Sequence, residues 1–163
     1  MASQASKDRK SLDKESAAVE QAAAIFEEKN LRFTDLRRTV FEEIASTTSS
    51  LGAYEILDRL SHKGTRLAPI SVYRALDALL EAGVVHRLES KNAYFACLAS
   101  AQLTSGRRPI FMSCETCGTV QQVDGQDIFD AVAKAAHGGN FAPRVTFVEV
   151  SGTCSACASK QAV

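Results

Sequence analysis

The sequence predicts an α+β fold in two parts. Three observations predict it: helical periodicity through the first half closed by a pair of strands, a small polar break near residue 100, and two Cys-x-x-Cys pairs set beside strands in the second half. At 163 residues the chain has room for one ordinary domain or two small ones. Apolar residues make up 45% and charged residues 23%, the balance of a globular protein and not of a disordered or fibrous one. No apolar run approaches the roughly 20 residues of a membrane-spanning helix, and residues 1–15 are polar and mixed in charge, unlike a secretion signal. A cytoplasmic protein with no membrane partner is therefore expected. The formal net charge is zero, so any nucleic-acid reading has to rest on where charges sit and not on their sum.

Residues 1–14 hold Lys7, Asp8, Arg9, Lys10 and Asp13 with almost nothing to bury, which predicts a mobile tail. Over 16–29 the apolar positions Ala17, Val19, Ala22, Ala23, Ile25 and Phe26 describe an amphipathic helix. Thr34 can cap a second helix that carries Leu36, Val40, Phe41 and Ile44, before the polar stretch 46–50 breaks it. A third helix over 53–62 buries Ile56, Leu57 and Leu60, with Gly64 placed for a left-handed cap. The fourth starts at Pro69 and groups Val72, Ala75, Leu76, Leu79 and Leu80 on one side. Arg74 and Glu81 then point away, with Tyr73 and Asp77 on the flank, and Gly83 ends the helix. Strands over 84–88 and 93–98 follow, joined by a turn at Lys91 and Asn92. Helices closed by a hairpin are the order of a winged helix-turn-helix, assigned to residues 15–98.

Residues 99–108 are small, polar and unpatterned, a hinge. The remainder, 109–163, reads as strands over 110–113 and near Val120, a helix over 126–137 and a strand over 144–150. This is a small α/β dimerisation domain with too few apolar residues to hold together unaided.

Cys114 and Cys117 form one knuckle after a strand, and Cys154 and Cys157 form another. A two-residue spacer lets both sulfurs of a pair face one ion, and four thiolates fill a tetrahedral zinc site with no open position. Such a closed site is structural, so one zinc per protomer is expected to hold the domain together. The competing reading is a redox dithiol, whose expected context is a helix start, whereas both pairs here follow strands. No Ser/His/Asp arrangement, phosphate-binding glycine loop or paired carboxylate cleft is visible, so neither an enzyme nor a small-molecule substrate is expected.

The stretch Pro69, Ser71, Val72, Tyr73, Arg74, Ala75, Leu76 resembles the recognition-helix signature of the ferric uptake regulator (Fur) family. The run from Glu81 through His86 to Ser90 is similar to the wing of its zinc-sensing branch (Zur), and the resemblance extends from about Leu31 through both cysteine knuckles. It implies a homodimeric transcription regulator, a repressor whose winged helices bind double-stranded operator DNA when a regulatory metal fills a site near the hinge. Independently of that likeness, a helix with an apolar back can offer Tyr73 and Arg74 to a major groove, where Arg makes paired contacts with guanine. Ser71 belongs to the same signature. Tyr54 resembles a further DNA contact of the family, and Arg32, Arg37 and Arg38 can reach phosphates unless they are plain surface residues.

The resemblance implies a regulatory ion held by a wing His, a following Cys, a loop His and a Glu past the first knuckle. His86 and Cys97 stand at the first two positions, but the loop reads Ser105, Gly106, Arg107, Arg108, Pro109, and Gln122 replaces the carboxylate. Arginine cannot ligate a cation and Gln is a weak zinc ligand. Three readings stay open. His86 and Cys97 bind a second, regulatory zinc with Glu89, Asp124 or water completing the set; or the sensor is lost, with Arg107 standing in for the ion and DNA binding independent of a regulatory metal; or the pair are ordinary strand residues. His62 and His137 are read as helix-end residues. A rival from another class is a protein-interaction adaptor built on the same winged helix.

Overall fold

The computed structural model describes residues 2–97 and 108–161, with side chains described from Glu15 onward. The chain divides into two compact units, Met1–Leu98 and Ala99–Val163. The expected hinge, with Arg107, lies outside the described residues apart from Arg108.

The first unit opens with α1, Ala2–Glu28, which includes the segment expected as a mobile tail. Residues 2–14 contain no Gly, Pro or β-branched side chain, so nothing local stops the helix from running back past the point where its apolar face begins. That face buries Val19, Ala22 and Phe26. Helix α2, Asp35–Ala45, starts as predicted at Thr34, whose hydroxyl accepts from the Arg37 amide, and buries Val40, Phe41 and Ile44. Its buried Glu43 pairs with Lys63 at 2.6 Å and Arg59 at 3.5 Å, tying α2 to the α3 region.

A two-residue strand that periodicity is too short to reveal, β1 (Leu51–Gly52), precedes α3, Ala53–His62. Gly64 takes φ +88°, and the Thr65 amide donates back to the Leu60 carbonyl at 2.9 Å, closing α3 as expected. Helix α4 spans Pro69–Ala82 and ends at Gly83 with φ +76°. Lys29, just beyond α1, donates to the Ala82 carbonyl at 2.8 Å and so fastens the end of α4. Strands β2 (Val85–Leu88) and β3 (Ala93–Ala96) form the wing, and the sheet order is β1-β3-β2, antiparallel throughout.

The second unit contains β4 (Pro109–Cys114), β5 (Val120–Asp124), α5 (Gln126–Gly138), β6 (Glu149–Gly152) and α6 (Ser155–Gln161). Central β4 pairs antiparallel with β5 and parallel with β6. The strand expected over 144–150 is corrected to β6, which starts at Glu149. Glu149 lies opposite Phe111, so residues before about 147 run past the start of β4 and have no ladder to join, despite the alternation of Val145 and Phe147. Helix α6 was not foreseen, being seven residues with no apolar period. Gly125 sits where a Cβ would fall 2.4 Å from Ile110 Cγ2, so the absence of a side chain lets α5 start directly against β4.

Candidate metal centre and DNA-reading face

Strand β4 delivers Cys114 at its end, and Gly118 at φ +73° turns the knuckle so that its amide donates to the Cys114 carbonyl at 2.9 Å. Opposite, Cys154 follows β6 and Cys157 stands in the first turn of α6. The second pair therefore does open a helix, the context that the sequence reading assigned to redox dithiols. What distinguishes the two chemistries is convergence: the four sulfurs all lie within 4.8 Å of one another, and none is in a disulfide. Cys117 and Cys154 are 3.8 Å apart, about the edge of a tetrahedron with Zn–S near 2.3 Å.

The electrostatics fit a cation. Hydrogen bonds from the backbone amides of Cys154 and Cys117 lower the Cys114 thiol to about 6, and hydrogen bonding with the Thr119 side chain, 3.3 Å away, lowers Cys117. Cys157, crowded by the Cys154 and Cys117 sulfurs, is pushed up to about 12. One thiolate is thus prepared by the fold while its neighbours cannot all ionise without a positive charge between them. A dication supplies that charge, and the four cysteines are suited to hold zinc as a closed structural site.

In the first unit, α4 turns Val72, Ala75, Leu76 and Leu79 into the core and leaves Tyr73, Arg74 and Asp77 exposed. Ser71 is half-buried beside them, and Tyr54, at the start of α3, is 70% exposed. The predicted division of α4 into an apolar back and an Arg74 front is therefore present. The N-terminal arginines are more engaged than expected. Arg37 donates to the Arg32 carbonyl and lies over the Phe26 ring at 6.0 Å, and Arg38 lies over Phe33 at 5.1 Å. Arg32 is exposed.

His86 pairs with Phe95 across the wing, their rings stacked at 5.9 Å. The Cys97 amide donates to the Val84 carbonyl at 3.0 Å, so His86 and buried Cys97 are diagonal neighbours on one face of the hairpin. Burial lowers the His86 pKa and so favours the neutral imidazole, the form that ligates a metal. Among the described residues, His86 and Cys97 belong to no group of three or more ligating side chains. Of the suggested substitutes, Glu89 pairs with Arg87 at 3.6 Å and Asp124 accepts from the Gln126 amide at 3.1 Å. Gln122 lies in β5 opposite Phe111. His62 caps locally, its Nδ1 2.8 Å from the Asp58 carbonyl oxygen, and His137 is in the last turn of α5.

Sequence reasoning missed Lys29, Glu43 and Ile70. The first two act through partners 53 and 16 to 20 residues away, which no local pattern shows. Ile70, 57% exposed, was legible as an apolar residue standing off the buried stripe of its helix.

The profile of the ferric uptake regulator family matches residues 28–151. The zinc uptake regulation protein of Escherichia coli (strain K12) is 34% identical over 142 residues, covering 87% of this chain and 82% of that protein. Among solved structures, a zinc uptake regulator complexed with zinc and DNA aligns with TM-score 0.82 and 32% identity, over 91% of this chain and 98% of the other. Holo XcZur aligns with TM-score 0.73 and 34% identity, over 86% and 96%.

Proposed function

As the chain belongs to the ferric uptake regulator family, we propose that it is a zinc-responsive transcriptional repressor. It works in the cytoplasm as a homodimer on double-stranded operator DNA and controls zinc homeostasis genes. It is not an enzyme, and a small-molecule substrate has no place in this reading. The observation that carries it is α4, whose buried back and exposed Tyr73 and Arg74 make a reading helix out of an electrically neutral chain. Arg74 takes a guanine edge, Tyr73 and Ser71 contact a neighbouring base or phosphate, and Tyr54 and Arg32 contact the backbone. Arg37, held over Phe26, shapes this surface as well as adding charge.

The four-cysteine zinc supports dimerisation, for which Ile128, Val132, Phe141, Phe147 and Val150 leave apolar surface exposed in the second unit. His86 and Cys97 supply the first two ligands of a regulatory zinc. One of the similar structures is a zinc uptake regulator complexed with zinc and DNA, which supports this reading over the adaptor.

The test uses an operator selected from a random duplex pool by the zinc-loaded protein. Arg74→Ala is expected to weaken binding to it by about 1–3 kcal/mol, with loss of preference at one guanine. Two zinc ions per protomer, the second removable by mild chelation with loss of DNA affinity, are expected by elemental analysis. One ion with unchanged DNA affinity assigns the lost-sensor reading instead. Duplex affinity that is absent or independent of salt ends the DNA reading.

A further inference from the structure

Ile70 occupies the second position of α4, one turn before Tyr73 and Arg74. Residues 70, 73, 74 and 77 are spaced i, i+3, i+4 and i+7, so they share one face of the helix, and all four are exposed. An isolated exposed isoleucine needs no explanation. Its distribution does. Among the described residues of the first unit, the large apolar side chains left exposed are Tyr54, Ile70 and Tyr73, at 70%, 57% and 36%. All three stand on α3 or α4, the pair of helices that form the helix-turn-helix, and Tyr54 and Tyr73 were already assigned to the DNA face. The N-cap of α4 is Ala68, which has no polar side chain to cap the helix, and Pro69 follows it. The cap and the first two positions of the helix are therefore apolar where many helices carry a polar cap.

We infer that Ile70 reads the C5-methyl group of a thymine in the major groove, beside the base pair read by Arg74. A reading helix commonly presents its N-terminal residues to base edges, and apolar side chains discriminate thymine by its methyl. This inference rests on the DNA-reading function proposed above. It gives α4 two kinds of contact on one face: a charged one for guanine and an apolar one for thymine.

The experiment scans the selected operator by replacing each thymine in turn with deoxyuridine, which removes the methyl and leaves base pairing intact. For the full-length zinc-loaded protein, one replacement is expected to weaken binding about threefold to fivefold, the worth of one buried methyl. Ile70→Ala is expected to bind the unmodified operator weaker by a similar factor and to be blind to that replacement. Arg74→Ala is expected to keep the methyl response while losing its guanine. A flat scan with wild-type protein, or a methyl response that survives in Ile70→Ala, overturns the inference and leaves the DNA reading standing if Arg74→Ala still loses affinity. Failure of the wild-type protein to select any duplex removes both.

Discussion

In the first unit Phe41, Ile44, Leu76 and Leu79 are fully enclosed by the helices and wing, whereas the whole of α5 in the second unit buries Phe129 alone. Val85 and Leu88 of the wing are sealed, while Phe141, Val145 and Phe147 of the second unit are each more than 60% exposed. The first unit therefore carries its own hydrophobic driving force. The second buries too little to do so alone, and its four converging sulfurs and exposed apolar surface are where an ion and a second copy would make up the difference. The contrast also separates tasks, since the surface proposed to read DNA belongs to the unit with the larger buried core.

The strongest way to break this contrast is Cys154→Ser. The second unit is expected to lose its zinc and its protected amides, and the dimer to dissociate, while the first unit keeps its slow-exchanging core. Zinc analysis with hydrogen exchange checks this, and loss of protection in both units together would refute the division of labour. Next in size is Phe41→Ala, expected to destabilise the first unit by about 3–5 kcal/mol in denaturant titration while zinc content stays unchanged. Gly125→Ala then probes a tightly packed junction of the second unit. Its methyl must displace Ile110, and a cost of about 1–3 kcal/mol is expected in thermal melts of the zinc-loaded dimer.

The smallest effect comes from proton linkage. In the metal-free protein Cys157, pushed up to about 12, is protonated near neutral pH, so zinc has to expel its proton. Zinc affinity is expected to rise with pH by up to about tenfold per unit for each proton released, as measured by chelator competition. His86 works on the first unit in the same direction. Its folded-state pKa lies below the ordinary value, so the unfolded chain takes up the proton first and stability falls as pH drops through that range.

The elements most legible in the sequence were those ended by local chemistry. Thr34, Gly64 and Gly83 stand at the helix ends they predicted, because a cap or a left-handed turn is a property of a few consecutive residues. The four cysteines were legible for the same reason, since their spacing is itself the site. What escaped was set by distant partners or by register. The start of β6 depends on where β4 begins, and the buried Glu43 is explicable only by Arg59 and Lys63. Helix α1 extends back over residues 2–14, because an absence of apolar residues argues against a core but does not argue against a helix. His86 and Cys97 were visible as residue types, and their shared face emerged only with the hairpin register.

The ammonium of Lys29 against the Ala82 carbonyl reaches beyond the bond itself. A cation moored at the negative end of the α4 dipole helps set the pitch at which that rod leaves the body of the unit. A substitution at residue 29 would then re-aim Arg74 about two turns away, as a small turn of a rudder post swings the blade. Selection on operator choice would in that case leave marks just past the first helix as well as in the one proposed to meet the groove.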